Sequence, residues 1–397
     1  MGEVRHPFIS FEFTTSSVSS DTWFWLGEAF SKCQHLAGSP LKPKTAADMA
    51  AVALARGAQA TTAIEGNTLS EAEVTAIVTS GSANVGPSRE YLEREVKNIL
   101  AALEDIDAAL HSGRALPIDR ERLCALNAQI LAGIPDRPEV KPGHLRQHDV
   151  VAGAYRAPHW TSVPALIDRL VAWLQQLRTD ASGLRPEDRF VNAVLAAVLA
   201  HVYIAWIHPF GNGNGRLARL IEVQILSESG VIPEVSTNLL SDHYNKTRAA
   251  YYLALEEAQR DIRAFITYAV RGFVDELRAQ IEGVKSQSLS VHWESYVYEV
   301  FRGMPTTTAR DRQRELALAL AHRGMAVTRD EATELTASLA RKYARTGDRT
   351  PARDLNDLVG MGLARRVGSR RYETTRDTIR AFIPAVSHSD GAPRASR

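Results

Sequence analysis

Residues 205–220, AWIHPFGNGNGRLARL, join an apolar segment to a basic one through a run of alternating Gly and Asn. Pro209 disfavours helical geometry at the residue before it, so the sequence predicts that the preceding helix ends at His208. Three glycines in the run permit turns that other residues rarely adopt, and successive N–H groups in such turns can face one concavity. They are Gly211, Gly213 and Gly215. The pattern therefore predicts two helices joined by a loop that presents backbone hydrogen-bond donors.

The groups around this loop are typical of an anion site. The N-terminus of the second helix carries partial positive charge, and Arg216 and Arg219 lie in its predicted first turn. His208 precedes the loop and Phe210 provides an apolar anchor, so all of these groups lie within twelve residues. The combination favours a site for a polyanion such as the phosphates of a nucleotide. A flexible Gly/Asn connector beside a histidine is the alternative that composition alone allows.

The composition of the whole chain predicts a soluble globular protein. Its 397 residues are 45% apolar and 23% charged, which suits two or three domains. The longest apolar run, residues 191–207, is interrupted by His201 and is shorter than the roughly 20 residues of a membrane helix, so it predicts a buried helix and no membrane association. The N-terminus shows no secretory or transit signal, and Cys33 and Cys124 lack disulfide-framework or metal-site spacing. We therefore expect a cytoplasmic location.

Helical periodicity dominates the chain, so the predicted fold class is mainly α with a short β-hairpin. The Ala-rich segment 46–66 predicts a helix that ends at Gly66, and Ser70 with Glu73 predicts a capping box for the next helix. Extended-looking residues on both sides of Gly153 predict the hairpin, within residues 146–160. Further helices are predicted over residues 91–111, 120–132, 163–176, 187–207, 217–229, 245–259 and 263–282.

Composition and pattern divide the chain into five predicted regions. Residues 1–110 form an N-terminal helical region and residues 111–282 a helical core. Residues 283–290 are predicted as a linker, because EGVKSQSLS is polar and poor in helix formers. Residues 291–383 form a small C-terminal domain, and the Ser/Gly/Pro-containing tail 384–397 is predicted to be disordered.

The C-terminal domain has the pattern of a winged helix. A helix over residues 352–361, ended by Gly362, precedes two short strands around the turn 367–369. The basic residues beside this turn could contact DNA phosphates. They are Arg365, Arg366, Arg370 and Arg371. Residues 303–397 hold 18 Lys+Arg against 11 Asp+Glu, a net +7 that allows DNA as a partner, whereas a helical accessory domain for dimer or target contacts is the alternative.

The sequence HPFGNGNGR at residues 208–216 resembles the signature of Fic domains, His-Pro-Phe-x-[Asp/Glu]-Gly-Asn-Gly-Arg, and Arg219 follows as in many members. The resemblance extends to HLR with the hairpin at residues 144–160 and to SDHYNKTRAAYYLAL at residues 241–255, and covers about residues 45–275. It implies a Fic-type helical bundle in which the β-hairpin is a flap over the active site.

The resemblance also implies an activity, the transfer of AMP from ATP to a Ser, Thr or Tyr hydroxyl of a partner protein or of the chain itself. His208 would be the general base. The α- and β-phosphates would be held by Asn214, Arg216 and the backbone of residues 211–216, and the γ-phosphate by Arg219. Phe210 would fix the loop, Tyr252 would belong to the nucleotide site, and the flap would pair with the target's main chain. A homodimer is among the arrangements that the sequence leaves open.

A second resemblance lies in TTAIEGN, residues 61–67. Thr61, Glu65 and Gly66 match the inhibitory sequence [Ser/Thr]-x-x-x-Glu-[Gly/Asn] of Fic proteins, in which the glutamate pairs with the second arginine of the signature, here Arg219. Glu65 would then occupy the position that the γ-phosphate needs, and the enzyme would be held largely inactive. In some members the same glutamate instead positions the water that removes AMP from a modified target, and the sequence does not separate the two roles.

Asn212 departs from the Fic signature, which has a carboxylate at this position to hold the Mg²⁺ that bridges the phosphates of ATP. An amide oxygen can ligate Mg²⁺ but lacks the charge that favours carboxylates. Three interpretations follow: a slower AMP transferase with weakened Mg²⁺ binding, an enzyme with another phosphate-containing donor, or a nucleotide sensor that has lost most catalysis and acts through a DNA-binding domain. The presence of His208 favours an active enzyme.

Overall fold

The computed structural model describes residues 6–153, 155–179 and 183–379. Most of them are helical, as the sequence predicts. The chain divides between Ile281 and Glu282 into two compact units. The predicted tail at 384–397 lies outside the described residues.

The first unit is a bundle of helices with one β-hairpin. Its helices are α1 (Ser20–Ala37), α2 (Pro43–Ala63), α3 (Glu71–Ser80), α4 (Glu90–His111), α5 (Arg120–Ile130), α6 (Val163–Thr179), α7 (Pro186–Ile207), α8 (Asn214–Glu228), α9 (Leu239–Lys246), α10 (Arg248–Glu257) and the first part of α11 (Ile262–Arg302). The strands β1 (Val151–Ala152) and β2 (Tyr155–Arg156) pair antiparallel, with Val151 opposite Arg156. The hairpin and the capping box of Ser70 with Glu73 are therefore as predicted.

Helix α7 forms the centre of this bundle. It packs against α1, α6 and α8, and from Val194 to Ile207 nearly every side chain is buried, because this stretch is apolar all round. By length and composition α7 could cross a membrane, but 83% of its most apolar window is buried inside the protein, as the sequence analysis predicts for a core helix.

Helix α2 packs on α3, α4 and α9, close to the start of α8. Gly57 permits this approach, because a Cβ atom there would lie 2.5 Å from Cγ of Asn238. The helix ends at Ala63, and Gly66, with φ of 103°, turns the chain away. The turn that contains Glu65 is thereby held beside the loop between α7 and α8.

Two predicted elements differ from the structure. Residues 245–259 form two helices, α9 and α10, because the backbone leaves helical geometry at Thr247. The predicted linker at 283–290 is helical and lies inside α11. This stretch contains no proline, Gly283 has open space around it, and Val284 is buried, so nothing in the sequence stops the helix.

The second unit contains the end of α11 and four further helices around a small antiparallel sheet with strand order β3-β5-β4. The elements are α12 (Thr308–Arg323), β3 (Val327–Thr328), α13 (Arg329–Thr333), α14 (Ala337–Tyr343), α15 (Thr350–Gly360), β4 (Ala364–Val367) and β5 (Arg371–Thr374). Helix α15 and the β4–β5 hairpin occupy the predicted positions, and β3 was not predicted. Apolar side chains from each of the larger helices form its core, among them Trp293, Leu316, Leu339 and Leu355.

Three of the four arginines beside the β4–β5 turn have partners inside this unit, Arg371 through a hydrogen bond to the Ala326 carbonyl at 3.4 Å. Arg365 pairs with Glu373 at 2.7 Å and with Asp377 at 3.0 Å. Arg366 donates to Asn356 Oδ1 at 2.7 Å. The carboxylates bound to Arg365 offset its positive charge, whereas Arg366 keeps its charge because Asn356 is neutral.

Candidate active site

His208 ends helix α7 in a left-handed conformation, with φ of 50° and ψ of 60°, and its N–H donates to the Ile204 carbonyl at 2.9 Å. The ring Nδ1 lies 3.3 Å from the Ala205 carbonyl. A proton on Nδ1 is therefore bonded there, and the Nε2 lone pair is left to accept a proton. Burial lowers the pKa of His208, and the Ala205 carbonyl and Glu65 oppose this only in part. The imidazole is accordingly neutral near pH 7, the form that a general base requires.

Arg146 fixes the backbone on both sides of His208. Its guanidinium donates to four backbone carbonyls, those of His208 (2.7 Å), His148 (2.9 Å), Pro158 (2.5 Å) and Ile207 (3.4 Å). Its own N–H donates to the Pro209 carbonyl at 2.9 Å. One buried side chain thus joins the start of the loop to the segments on either side of the β-hairpin. The sequence analysis noted this residue only within the HLR resemblance and assigned it no role.

Phe210 and Asn214 hold the loop closed by a reciprocal pair of hydrogen bonds. The Phe210 N–H donates to Asn214 Oδ1 at 2.9 Å, and Asn214 Nδ2 donates to the Phe210 carbonyl at 2.9 Å. Both residues are buried. The Asn214 side chain therefore holds the backbone of the loop, and its contact with phosphates stays a prediction. The predicted structural role of Phe210 agrees with this geometry.

The three glycines of the loop serve two different purposes. Only Gly213 has a left-handed backbone, with φ of 80°, and it precedes the first residue of α8. A Cβ atom at Gly211 would lie 3.1 Å from Val140 Cγ2, and one at Gly215 would lie 2.4 Å from Glu65 Oε1. These two glycines therefore allow a close approach of neighbouring side chains and do not form left-handed turns, which corrects the sequence analysis.

The predicted contact between Glu65 and Arg219 is present. Arg219 Nη2 donates to Glu65 Oε1 at 2.7 Å and to the Thr61 carbonyl at 2.9 Å. The Arg219 side chain is 1% exposed and the Glu65 side chain 29%. Burial raises the pKa of Glu65, but Arg219, Arg216 and His208 outweigh it, so the pKa lies below its ordinary value. Glu65 is therefore a carboxylate lying directly against Gly215.

A second carboxylate, which the sequence analysis missed, holds the other arginine. Arg216 Nη1 donates to Glu95 Oε1 on α4 at 3.0 Å. Asn67, just after Glu65 in the chain, donates through Nδ2 to Glu95 Oε2 at 3.0 Å and to the Leu92 carbonyl at 2.9 Å. Both arginines of the signature are thus bound to carboxylates contributed from before residue 100.

The two arginines also have donors without partners. Among the described residues, Nε of Arg216 and both Nε and Nη1 of Arg219 are buried and make no hydrogen bond. Unpaired buried donors on a cation are costly, and an anionic ligand at the N-terminus of α8 would satisfy them. This local excess of donors supports the predicted phosphate site.

Asn212 lies half-buried at the centre of a polar cluster. Its Oδ1 accepts the Gly213 N–H at 2.6 Å and Arg216 Nη2 at 3.2 Å. Its Nδ2 donates to Asp136 Oδ2 at 2.5 Å, and its backbone carbonyl accepts Asn127 Nδ2 at 2.9 Å. The amide oxygen and the nearby carboxylate are the oxygen ligands that Mg²⁺ uses in proteins together with phosphates, so the side chains at this point fit such an ion.

A cavity of about 820 Å³ opens beside these groups. Its size is within the range of small-molecule sites. It is lined by Glu65, Asn214 and Gly215, by His208 with Ala205 and Trp206, by Ala152, Gly153, Tyr155 and Arg156 of the hairpin, by Tyr251, Tyr252, Leu255, Glu256 and Gln259, and by His6, Pro7 and Phe8. Tyr252 lies in this wall as predicted for a nucleotide-site residue, and the N-terminal residues were not predicted. His208, Glu65 and the β-hairpin therefore face one cavity.

A helical bundle around a histidine-bearing loop, with a β-hairpin beside the cavity, agrees with the resemblance to Fic domains. Residues 117–226 match the Fic/DOC family. The protein adenylyltransferase fic-1 of Caenorhabditis elegans is 30% identical over 230 residues, which are 57% of this chain and 41% of that protein. The protein adenylyltransferase Fic of Drosophila virilis is 28% identical over 206 residues, 52% of this chain and 38% of that protein.

Solved structures of Fic proteins share the fold of this chain. A fragment of Fic-1 from C. elegans superposes with a TM-score of 0.55 at 25% identity, over 68% of this chain and 75% of the fragment. A Fic family protein from Desulfovibrio desulfuricans G20 shares the fold with a TM-score of 0.53 at 21% identity, over 92% of this chain and 97% of its own. The chain therefore contains a Fic domain, at residues 117–226. It spans about two fifths of the length of the curated relatives, 41% for the C. elegans protein.

Proposed function

We propose that this protein is an adenylyltransferase that moves AMP from ATP to a Ser, Thr or Tyr hydroxyl of a partner protein or of itself, and that Glu65 holds it largely inactive. The observation that carries the proposal is that a neutral His208 and the Glu65 carboxylate face one cavity, with Glu65 bonded to the buried Arg219, which has donors without partners. Relatives named protein adenylyltransferase support the reaction type.

In the proposed reaction, Nε2 of His208 takes the proton of the acceptor hydroxyl. The hydroxyl oxygen forms a bond to the α-phosphorus of ATP, and the bond from that phosphorus to the oxygen bridging it to the β-phosphate breaks, so pyrophosphate leaves. The N-terminus of α8 and Arg216 would stabilise the charge that develops on the phosphates. A divalent cation bound with ATP would neutralise further charge, and Asn212 Oδ1 is the oxygen that the signature position offers to it.

The β-hairpin suits the capture of an extended target segment. Its strands are short and Val151 is 60% exposed, so backbone groups at its edge are accessible for strand addition. Tyr155 OH donates to the Trp206 carbonyl at 2.7 Å, which fixes the hairpin near His208. Because main-chain hydrogen bonds depend little on the side chains of the target segment, we expect low sequence specificity around the acceptor hydroxyl.

Glu65 would inhibit by position and by charge. Its Oε1 lies against Gly215 and is bonded to Arg219, so the γ-phosphate of ATP would meet a carboxylate where it needs a cation. ATP could then bind only with its phosphates displaced from the line of attack. Inhibition would end when the turn carrying Glu65 moves away.

The position of the radioactive phosphate tests the reaction type. The Glu65→Gly protein, incubated with ATP labelled at the α-phosphate, is expected to transfer label to itself or to added proteins, because AMP is the group retained. ATP labelled at the γ-phosphate is expected to give none, because that phosphate leaves with pyrophosphate. Gel autoradiography separates the outcomes, and label from the γ-position would identify a phosphoryl transferase instead.

The pKa of His208 supplies an independent prediction. In the free protein we expect His208 to titrate below pH 6.5, because burial disfavours its charged form. Glu65 raises this pKa, so Glu65→Gly is expected to lower it further. Proton NMR of the histidine ring signals measures both values, with the His208 signal assigned by its loss in His208→Ala. A midpoint above 6.5 would contradict the buried, neutral base.

A further inference from the structure

The carboxylate that position 212 lacks is present beside it on another segment. Asp136, between α5 and the hairpin, accepts a hydrogen bond from Asn212 Nδ2 at 2.5 Å through Oδ2. Its other oxygen accepts the Arg137 N–H at 2.7 Å. The Asp136 residue is exposed, so its carboxylate faces solvent at the edge of the phosphate loop.

The segment carrying Asp136 is held against the loop at two further points. Val140 packs on Gly211, where a Cβ atom would lie 3.1 Å from its Cγ2. Asn127 bridges the two segments, because its Oδ1 accepts the Gly143 N–H at 3.0 Å while its Nδ2 donates to the Asn212 carbonyl at 2.9 Å. The contact between Asp136 and Asn212 is therefore part of a built interface between the segment and the loop.

The orientation of the Asn212 amide follows from its neighbours. Its oxygen faces two donors, the Gly213 N–H and Arg216, and its nitrogen faces an acceptor, Asp136. Arg216 is also bonded to Glu95, so the amide oxygen can exchange partners without leaving the guanidinium unpaired. One neutral and one negatively charged oxygen ligand thus lie at the same edge of the loop.

We propose that Asp136 is the carboxylate ligand for the divalent cation that accompanies ATP, with Asn212 Oδ1 as the neutral ligand. This inference rests on the proposed function, because the cation would bind together with the nucleotide. Mg²⁺ is usually held by one or two carboxylates and substrate phosphates, and the pair supplies the single charge that the signature normally supplies from position 212. The negative charge that Asn212 lacks is therefore supplied by Asp136.

The test measures binding, not turnover. All variants carry Glu65→Gly and His208→Ala, which open the site and prevent the reaction. The dissociation constant of ATP is measured by calorimetry with Mg²⁺ and again with EDTA, and the ratio of the two constants gives the metal enhancement. Asp136→Asn is expected to reduce this enhancement about tenfold or more, the usual scale for a lost contribution to a metal site.

Three comparison variants make the result specific. Glu139→Gln removes a negative charge from the same exposed segment and is expected to leave the enhancement unchanged. Asn212→Asp with Asp136→Asn exchanges the two side chains and is expected to restore it. Asn212→Asp alone adds a second carboxylate and is expected to raise it, while lowering the melting temperature without metal because two like charges meet.

Unchanged enhancement in Asp136→Asn, with ATP still bound, would overturn the assignment and leave the proposed function standing. Equal losses in Asp136→Asn and Glu139→Gln would also overturn it, because a general charge effect would then account for the change. Failure of every variant to bind ATP, with or without Mg²⁺, would overturn both the assignment and the proposed function.

Discussion

The Glu65→Gly variant is expected to label itself or added proteins from ATP about 10²- to 10³-fold faster than the wild-type protein, the scale on which one preorganised donor to a charged transition state acts. In the wild type, Nη2 of Arg219 is bonded to Glu65 and the space over Gly215 is filled by the carboxylate. Glycine removes both obstacles, so the γ-phosphate can take Arg219 as its partner. The measurement is the initial rate of incorporation from α-labelled ATP.

Glu65→Gln separates the effect of the negative charge of Glu65 from the effect of its side-chain volume. An amide is neutral but still lies over Gly215, so this variant is expected to activate less than Glu65→Gly. Glu71→Gln serves as the matched control. Glu71 lies at the start of α3 and pairs with the exposed Arg56, so this substitution should not affect the rate. An unchanged rate in Glu65→Gly would rule out the inhibitory role.

The same variants test the alternative role of Glu65 in removing AMP. Protein labelled by the Glu65→Gly variant is repurified and incubated with unlabelled wild-type protein. Stable label favours simple inhibition, whereas release of AMP by the wild type, absent with Glu65→Gly, indicates a hydrolytic role for this carboxylate.

The His208→Ala variant, in the Glu65→Gly background, is expected to lose about 10²- to 10⁴-fold in the rate of AMP transfer, which is the usual contribution of a general base. ATP binding should persist, because the arginines and the loop backbone do not depend on the imidazole. Rate and affinity are measured together by label incorporation and calorimetry. His35→Ala, which changes an exposed histidine at the end of α1, is the control. Full activity without His208 would contradict its role as base.

The sequence predicted the loop, because its proline and glycines have strong local conformations. The contact between Glu65 and Arg219, which are 154 positions apart, was predicted only from the resemblance to the inhibitory sequence of Fic proteins. The sequence could not predict Arg146, Glu95 or Asp136. These residues act through partners 62, 121 and 76 positions away along the chain, and such pairings become visible only when the helices are packed. The charges at these positions look like ordinary surface residues in the sequence.

The sequence showed which residues form the loop, but it did not show what each of them does in the folded protein. Whether a glycine is needed for a turn or for close approach depends on what lies against it, as Gly215 and Glu65 illustrate. Asn214 likewise turns its amide to Phe210 in the folded loop. The helix over the predicted linker was missed because polar composition describes an exposed helix as well as a coil, and Trp293, which is buried in the second unit, lies only three residues beyond it.

The hydrogen bonds from Asn67 and Arg216 to Glu95 connect Arg216 to the turn that also carries Glu65, the partner of Arg219. Glu65 and Asn67 flank a single glycine, so one rotation of this turn would change the surroundings of both guanidinium groups at the same moment. Under the proposed inhibition, the contacts of both arginines would then be released together, and not as two independent restraints. Any event that moved this turn of three residues would change the contacts of Arg216 and Arg219 together, without acting on each arginine separately.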